Sequence, residues 1–431
     1  MKSPKDRKDD PSEIPGFGPV PPGWVRTRMD KHLRYVKHPV STEIMAGQQV
    51  FHYSIPVVQS TGTGEVQEGD TIDSNKIRIQ SEVILVSKLN PRKATVCRAA
   101  PKGRLTVCST EFVPLEADGI DISFLHYVLL SDPYRQRLES MVESVTRSHQ
   151  RVAPSDIYRF WWGVPPLTVQ RTLVTFLDRE TAKVDALIAK QEQLISTLRE
   201  DRTATITHAV TTGLDRGVEF KAMGVDLPDV PNHWQVQPIK HVGRLITGRT
   251  PDTSEEGHYS EVHDGYPWFR PEDLDTTGKP STASRWISES GWATVPHLPA
   301  PSVHVVSIGA TLGKIGYVEK ESSSNQQITA IVGASCPRFL YFALVASYEQ
   351  IWASSMGNTI PIISAGRLGA IEVPVPPEEE QRTIVAYLDE FCRRVDSLIL
   401  KAQEVVLILK EYRSALITDA VTGKIDVRGV A

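Results

Sequence analysis

Apolar residues recur at alternating intervals of three and four positions near the C-terminal end of the chain. This spacing keeps them on one face of a helix and is typical of the seam of a coiled coil. The stripe consists of Leu388, Phe391, Val395, Leu398, Ala402, Val405, Leu409, Tyr412 and Leu416. We predict a long helix that begins after Pro376-Pro377, where proline in the first turn costs no hydrogen bond, and ends near Gly423.

A weaker copy of this segment occurs earlier in the chain. Residues 164–210 align with 375–421 without gaps, at an offset of 211 positions, with 22 identities in 47 positions. Glu180, Gln191 and Asp201 interrupt the apolar stripe of this copy. Its remaining seam positions are Leu177, Val184, Leu187, Leu194 and Leu198. Two such helices zipped together bury more apolar surface than either does alone, although a long surface helix packed on its own domain stays open.

The segments that precede the two helices look unlike each other, apart from a tryptophan near each start, Trp24 and Trp234. Both contain short buried-strand patterns with frequent glycine and proline, which predicts two variable domains. The charged, proline-rich start of the chain is predicted to be disordered. The predicted plan is a tail (1–20), domain 1 (21–163), helix 1 (164–215), a linker (216–230), domain 2 (231–374), and helix 2 with the C-terminal tail (375–431).

Composition adds few constraints. The chain has 431 residues, 40% hydrophobic and 23% charged, with a net charge of −4, which is ordinary for a soluble globular protein. No apolar run is long enough to cross a membrane. The four cysteines stand apart without a Cys-x-x-Cys pair, so we expect no zinc site and a cytoplasmic location.

A basic window lies in the first domain, between residues 76 and 104. Such an excess suits a phosphate backbone, but a solvated protein face is an equally open interpretation. The candidate DNA-binding residues here are Arg78, Lys88, Arg92, Lys93, Arg98, Lys102 and Arg104.

Catalytic motifs are missing from the sequence. Gly309–Ile315 looks like a phosphate loop, but it is one residue short, and Ile315 stands where a magnesium-binding hydroxyl is needed. The Pro-Pro pairs lack the preceding Asn or Asp that adenine methyltransferases use, and no histidine pair has metal-binding spacing on a helix. We therefore predict no catalytic residue and no metal site, and expect a binding or scaffolding subunit.

The layout resembles the specificity subunit of type I restriction–modification enzymes, from about Pro21 onward. The most specific motif is Pro-Pro-x-x-x-Gln at the start of each long helix, at Pro165 to Gln170 and Pro376 to Gln381. Tyr266-Pro-Trp-Phe-Arg270 is similar to common segments of target-recognition domains. Trp161-Trp162 departs from the usual aliphatic run before the first Pro-Pro pair.

The resemblance implies an α+β fold with a pseudo-twofold internal repeat. Two mixed α/β target-recognition domains would be joined and spaced by two long antiparallel helices that form a coiled coil. Each domain would read one half of a split double-stranded DNA target. Two methyltransferase subunits and the restriction (translocase) subunits would join this chain. S-adenosylmethionine, ATP and magnesium would belong to those partners, with no cofactor in this chain.

Candidate DNA contacts in the second domain are cations beside turn residues. They are Arg249, Arg270, Arg285 and Lys314. Two other functions stay open at this point: a self-contained DNA methyltransferase or endonuclease, and a coiled-coil assembly protein that never touches DNA. The missing motifs argue against the first, and two dissimilar domains without a role argue against the second.

Overall fold

The computed structural model describes residues 13–14, 18–144, 150–215, 217–221, 229–261, 263–357 and 359–425. Most of the predicted disordered tail lies outside these ranges, as does part of the predicted linker. The described part of the tail differs from the prediction, because Glu13–Ile14 (β1) pairs with Gly18–Pro19 (β2). The chain divides into two compact units: unit 1 contains residues 1–190 and 405–431, and unit 2 contains residues 191–404.

Unit 1 holds the first mixed domain, which is built on two sheets. The sheets have strand orders β10-β9-β12-β4 and β5-β8-β11-β6-β7, and β15 closes the domain by pairing with β3. The further strands are β3 (Val25–Arg28), β4 (Leu33–Tyr35), β5 (Pro39–Val40), β6 (Gln49–Tyr53), β7 (Glu65–Glu68), β8 (Lys76–Arg78), β9 (Val83–Ser87), β10 (Val96–Ala99), β11 (Thr106–Ser109), β12 (Phe112–Ala117), β13 (Glu143–Ser144), β14 (Gln150–Arg151) and β15 (Trp161–Val164). Its short helices are α1 (Thr42–Met45), α2 (Ile55–Thr61), α3 (Ile122–Leu130), α4 (Asp132–Ser140) and α5 (Pro154–Tyr158).

Strand β9 shows one of the buried-strand patterns predicted for this domain, and all five of its residues are buried. Helix α3 begins where the Asp121 carboxylate accepts hydrogen bonds from the backbone N–H groups of Ser123 and Phe124. An aspartate at this position satisfies donors that the first turn leaves free. The hydrophobic core continues from α3 onto both long helices, through Leu173, Leu177, Leu416 and Ile417.

Each Pro-Pro pair leads into a long helix. The first long helix, α6, spans Leu167–Thr212, and it passes from unit 1 into unit 2. Gly213 follows it with a backbone φ of 76°, in the left-handed region where glycine stops helices without strain.

Unit 2 holds the second mixed domain. Its two sheets have strand orders β19-β26-β23-β24 and β20-β22-β21-β25, and β27 closes the domain by pairing with β18. The strands are β16 (Phe220–Lys221), β17 (Val230–Pro231), β18 (Gln235–Pro238), β19 (Arg244–Thr247), β20 (Tyr259–Ser260), β21 (Tyr266–Phe269), β22 (Arg285–Ile287), β23 (Ser302–Val306), β24 (Ile315–Val318), β25 (Ser323–Ser324), β26 (Ile328–Val332) and β27 (Glu372–Val375). The short helices are α7 (Ile239–Val242), α8 (Glu289–Trp292), α9 (Pro337–Ala346), α10 (Tyr348–Ala353) and α11 (Ala365–Ala370).

The second long helix, α12, spans Glu378–Val421 and passes from unit 2 back into unit 1. Within each unit the two long helices run antiparallel, because residues in the first half of one helix contact residues in the second half of the other. In unit 1 the contact is Asp185 with Arg413, and in unit 2 it is Asp396 with Arg202. The predicted α+β fold is thereby confirmed.

Candidate recognition and assembly surfaces

A buried glutamine fixes the start of each long helix. In unit 1, Gln170 Nε2 donates to the Pro165 carbonyl at 2.8 Å, and its Oε1 accepts from the Asp121 N–H at 2.8 Å. In unit 2, Gln381 Nε2 donates to the Pro376 carbonyl, also at 2.8 Å. The Pro-Pro-x-x-x-Gln motif is therefore a structural lock, in which the glutamine donates to a carbonyl that lies just before the first helical hydrogen bond.

An aspartate further along the helix ties each domain to it. Asp178 Oδ1 accepts from the hydroxyl of Tyr127 at 2.6 Å. Asp389, its equivalent in the repeat, accepts from Arg338 Nε at 3.0 Å. Tyr127 and Arg338 are themselves 211 positions apart, so the repeat keeps the contact while changing the donor. Burial, with the neighbouring Asp178 carboxylate, raises the pKa of Tyr127 to about 12.

An arginine–aspartate pair then joins the two long helices in each unit. In unit 1, Arg413 donates to both oxygens of Asp185, at 2.8 and 3.2 Å. In unit 2, Arg202 Nε lies 3.8 Å from Asp396 Oδ1. The sequence pattern carried a signal for these residues, since Asp185 and Asp396 are identical at the repeat offset, as are Arg202 and Arg413. The heptad pattern of apolar residues does not mark them.

The end of each long helix packs against the other repeat's tryptophan. Any side chain at Gly213 would meet Trp234 at 3.1 Å, and one at Gly423 would meet Trp24 at 3.2 Å. Each domain is thus packed between the start of the helix that follows it and the end of the other helix. The same contact in each unit accounts for the tryptophan that precedes each domain at nearly the offset of the helix repeat.

The seam between the helices differs from the predicted one at several positions. Leu177, Val184, Leu388, Val395, Ala402 and Leu416 are buried, and Phe391, Leu198 and Leu409 are half-buried. Leu187, Leu194, Leu398, Val405 and Tyr412 are exposed instead, with Leu187 at 47% and Leu398 at 50%. Ile188 and Ile195, each one residue further along, are buried in place of Leu187 and Leu194. The interrupting residues Glu180 and Asp201 are therefore not forced into a buried seam.

The predicted cations of the first domain are spread over its surface. Lys102 lies over the ring of Phe51 at 5.9 Å, and Arg104 donates to Gln49 at 3.1 Å, so both sit beside strand β6. Arg98 is paired with Glu82 at 2.6 Å, and Lys88 lies 3.9 Å from Glu111.

The 3-10 turn Pro91–Lys93 carries the next two candidates. Lys93 reaches Gln59 at 3.4 Å, while Arg92 and, on β8, Arg78 are exposed and make no side-chain hydrogen bond or ion pair with the described residues. The neighbouring carboxylates of Glu82 and Glu111 weaken the attraction of Arg98 and Lys88 for a phosphate. The exposed cations of this domain remain predicted DNA contacts.

The predicted cations of the second domain fall into two groups. Lys314 donates to the Pro271 carbonyl at 2.8 Å, and Arg270 pairs with Glu272 at 2.9 Å, so both stabilise the turn that follows β21. Arg249 and Arg285 are exposed, and their side chains make no hydrogen bond or ion pair within the described part of the chain. The second group is the better placed to meet an external anion.

Neither a metal-binding cluster nor a membrane-spanning helix is found among the described residues. They contain no group of three or more His, Cys, Asp or Glu side chains arranged to hold a metal ion. None of the helices in the described ranges is both long and apolar enough to cross a membrane.

Comparison with known proteins links this geometry to a family. A family model described as a type I restriction modification DNA specificity domain matches residues 231–405. The MjaIX specificity subunit of Methanocaldococcus jannaschii is 25% identical over 186 residues, which are 40% of this chain and 41% of the relative. The EcoKI specificity subunit of Escherichia coli is 25% identical over 214 residues, 46% of this chain and 44% of the relative. The chain thus spans less than half the length of these relatives in each match.

A solved structure shows the same fold over most of the molecule. It comes from work on complex assembly and conformational transition of the type I R-M system. The match has a TM-score of 0.73 at 21% identity, and covers 94% of this chain and 99% of the other. Residues 231–405 thus match a type I restriction modification DNA specificity domain, the relatives with partial similarity are specificity subunits of type I restriction enzymes, and the fold is shared with a solved structure from a type I R-M system.

Proposed function

We propose that this chain is the sequence-specific DNA recognition subunit of a type I restriction–modification complex. Each mixed domain reads one half of a bipartite double-stranded target, and the two long helices set the separation of the halves. Two methyltransferase subunits and the restriction subunits assemble on this frame. The chemistry, and with it S-adenosylmethionine, ATP and magnesium, belongs to those partners.

One observation carries the proposal: the contacts of the frame are duplicated, whereas the domains that it holds are not. Gln170 and Gln381 make the same proline contact, and Asp178 and Asp389 each bind a domain helix. The sheets have different strand orders in the two domains, five strands beside four in the first and four beside four in the second. A constant frame with two unlike domains suits the reading of two unlike half-sites on a duplex with twofold backbone symmetry.

The cation distribution supports DNA contact through a few exposed side chains. Arg78, Arg92, Arg249 and Arg285 have no acidic partner among the described residues, and Lys102 and Arg104 lie together beside β6. Contacts to phosphates position a protein on DNA, while contacts to base edges select the sequence. The exposed arginines can serve either role, because the guanidinium binds both phosphate oxygens and the edge of guanine.

The exposed apolar positions of the long helices support partner docking. Leu187 and Leu398 occupy equivalent positions in the repeat, as do Leu194 and Val405, and all four are exposed. Apolar side chains that recur on one face of a helix outside the seam indicate a protein interaction surface. Because the positions recur in both copies, they fit two copies of the same partner, the methyltransferase subunit.

The test is to express the full chain with a methyltransferase partner and to map methylated adenines in a host genome. We expect a split sequence with a gap of fixed length. Exchange of residues 239–371 for the corresponding domain of a relative should change one half of that sequence and leave the other half intact. Methylation by the purified chain alone, or an undivided target that survives the exchange, would refute the proposal.

A further inference from the structure

A loop of the second domain, residues 275–281, is preformed by its own aspartate. The Asp275 carboxylate accepts hydrogen bonds from the Thr277 N–H at 2.7 Å and from the Thr277 hydroxyl at 2.6 Å. The Asp275 N–H in turn donates to Ser281 Oγ at 2.9 Å. A turn closed in this way holds its backbone in one shape. We call residues 275–281 the clamp loop.

Two arginines bind consecutive carbonyls of the clamp loop. Arg202 donates to the Thr276 carbonyl at 3.3 Å and to the Thr277 carbonyl. Arg338 donates to the Gly278 carbonyl at 2.6 Å. Arg202 belongs to the first long helix, and Arg338 also binds Asp389 of the second long helix. The clamp loop is therefore one point at which the recognition domain contacts the long helices within unit 2, the first helix through Arg202 and the second through Arg338.

Gly278 allows this close approach. Its backbone φ is 92°, and a Cβ there would lie 3.3 Å from Arg202 Nη2 and 3.8 Å from Arg338 Nη2. Residues other than glycine rarely adopt this backbone conformation. The guanidinium groups are enclosed, since the side chain of Arg202 is 16% exposed and that of Arg338 is 18% exposed.

Arg202 and its counterpart in the repeat have different hydrogen-bond partners. Its counterpart in unit 1, Arg413, gives both of its short hydrogen bonds to Asp185. In unit 2 the nearest distance between Arg202 and the equivalent Asp396 is 3.8 Å, longer than a hydrogen bond, while the loop carbonyls are within hydrogen-bond reach. Burial raises the pKa of Asp396, although the nearby Arg202 lowers it. If Arg202 served only to join the two helices, its guanidinium would donate to Asp396, as Arg413 does to Asp185, and not to the carbonyls of the loop.

We propose that Arg202 is a positioning residue: it fixes the second recognition domain on the paired helices through the clamp loop and so sets the register at which the second half-site is read. This proposal rests on the proposed function. The planar guanidinium reaches the two carbonyls with two separate nitrogens, Nη1 and Nη2, held in a fixed geometry that the single nitrogen of lysine does not reproduce. Loss of one of the two hydrogen bonds lets the domain shift relative to the helices. The complex then methylates targets with a wider range of gaps between the half-sites.

The experiment compares Arg202→Lys with the matched control Arg413→Lys in the full chain bound to its methyltransferase partner. A second variant, Gly278→Ala, displaces the clamp loop without altering either helix. Hydrogen exchange of peptides that cover 275–281 reports the loop directly, and genome-wide methylation reports the gap. For both unit 2 variants we expect hydrogen exchange in the loop to be about tenfold faster than in the parent. The control should exchange at the parental rate.

Methylation of sites whose gap is one base pair longer or shorter should rise about tenfold for Arg202→Lys and Gly278→Ala, an effect equal to roughly 1.4 kcal/mol of lost discrimination. Arg413→Lys should keep the parental gap. Unchanged loop exchange, or faster exchange with an unchanged gap, would overturn the proposal. A parental complex without a split target would refute the proposed function itself, a result that is visible before any variant is compared.

Discussion

The guanidinium of Arg413 binds both carboxylate oxygens of Asp185, at 2.8 and 3.2 Å, and so joins the end of the second long helix to the middle of the first. Its repeat equivalent, Arg202 with Asp396, joins the same two helices within unit 2. Each helix supplies one aspartate and one arginine at positions fixed by the repeat. Such an arrangement matches charges only when the helices run antiparallel, because a parallel pair would set aspartate against aspartate.

A charge exchange tests which contact each arginine makes. Asp185→Arg combined with Arg413→Asp should restore stability that either single substitution removes, since the pair interacts mainly with itself. The destabilisation by a single substitution should stay below about 1 kcal/mol, because Asp185 is 51% exposed and its interaction is screened by water. The midpoint of thermal unfolding of the full chain measures both effects. In contrast, Arg202→Asp with Asp396→Arg should not recover stability, because the carbonyls of Thr276 and Thr277 stay without a donor.

The two glutamine locks differ in the number of groups they satisfy, which predicts unequal costs. Gln170→Met removes partners from both the Pro165 carbonyl and the Asp121 N–H, and should cost about 2–3 kcal/mol. Gln381→Met removes the partner of the Pro376 carbonyl and should cost about 1 kcal/mol. Chemical unfolding of the two variants beside the parent compares them. Equal destabilisation would mean that the Asp121 hydrogen bond adds nothing to stability.

The heptad pattern predicted both long helices, but it could not fix which face is buried. Apolar residues occur in adjacent pairs along them, Leu187-Ile188, Leu194-Ile195 and Leu398-Ile399. A sequence of this kind offers two stripes one residue apart, and only the position of the partner helix selects between them. The structure buries Ile188 and Ile195 and exposes their neighbours.

The polar contacts of the candidate site were less accessible to prediction. Asp178 and Asp389 are identical across the repeat, yet their donors are Tyr127 and Arg338, which no shared motif marks. The clamp loop belongs to a variable domain, so the repeat carries no signal for it. The sequence marks Arg92 and Arg98 alike as cations. Only the three-dimensional structure shows that Arg98 is paired with Glu82.

Acid should destabilise unit 2 through a buried histidine. Burial lowers the pKa of His304 to about 3, from an ordinary value of 6.5. Below pH 6.5, His304 becomes protonated in the unfolded chain but stays neutral in the folded chain. The free energy of unfolding therefore falls as the pH drops from about 6.5 toward 3, by up to about 1.4 kcal/mol per pH unit. His304→Leu should remove this contribution between pH 6.5 and 5, above the range in which carboxylates take up protons.

Unfolding midpoints at pH 7 and pH 5.5 would show the difference. Val303→Ala, at a fully buried neighbour without a titratable group, provides the control and should keep the parental pH dependence. His126 in unit 1, whose pKa burial lowers to about 4, should leave a residual slope in the His304→Leu variant. If His304→Leu were destabilised as much as the parent on acidification, His304 would not be the titrating group.

Charge reversal in the first domain tests its binding to phosphates. Arg92→Glu with Lys93→Glu should weaken binding to every DNA sequence and reduce the slope of log affinity against log salt by about 0.9 for each phosphate that is no longer neutralised. Arg98→Glu should have a smaller effect, because the Arg98 charge is already paired with Glu82 at 2.6 Å. Binding titrations of the assembled complex across salt concentrations measure the slope. An unchanged slope for the double reversal would remove these two residues from the DNA surface.

Lengthening the frame tests the role of the helices as a spacer. The ion pairs in units 1 and 2 lie on either side of Gln193 and Glu404, which are equivalent positions in the repeat. Seven residues inserted after both positions preserve the seam and both pairs, and add about 10 Å of helix. At about 3.4 Å per base pair, the gap between the methylated half-sites should grow by about three base pairs.

The same insertion after Gln193 alone provides the control. Because the second helix keeps its length, the ion pairs Asp185–Arg413 and Arg202–Asp396 can no longer form at the same time. The complex with the methyltransferase partner should therefore fail to assemble. The double insertion should instead keep both half-site sequences and change only the gap, since neither domain is altered. An active complex with a lengthened pair of helices and an unchanged gap would show that the domains, and not the helices, determine the separation that is read on DNA.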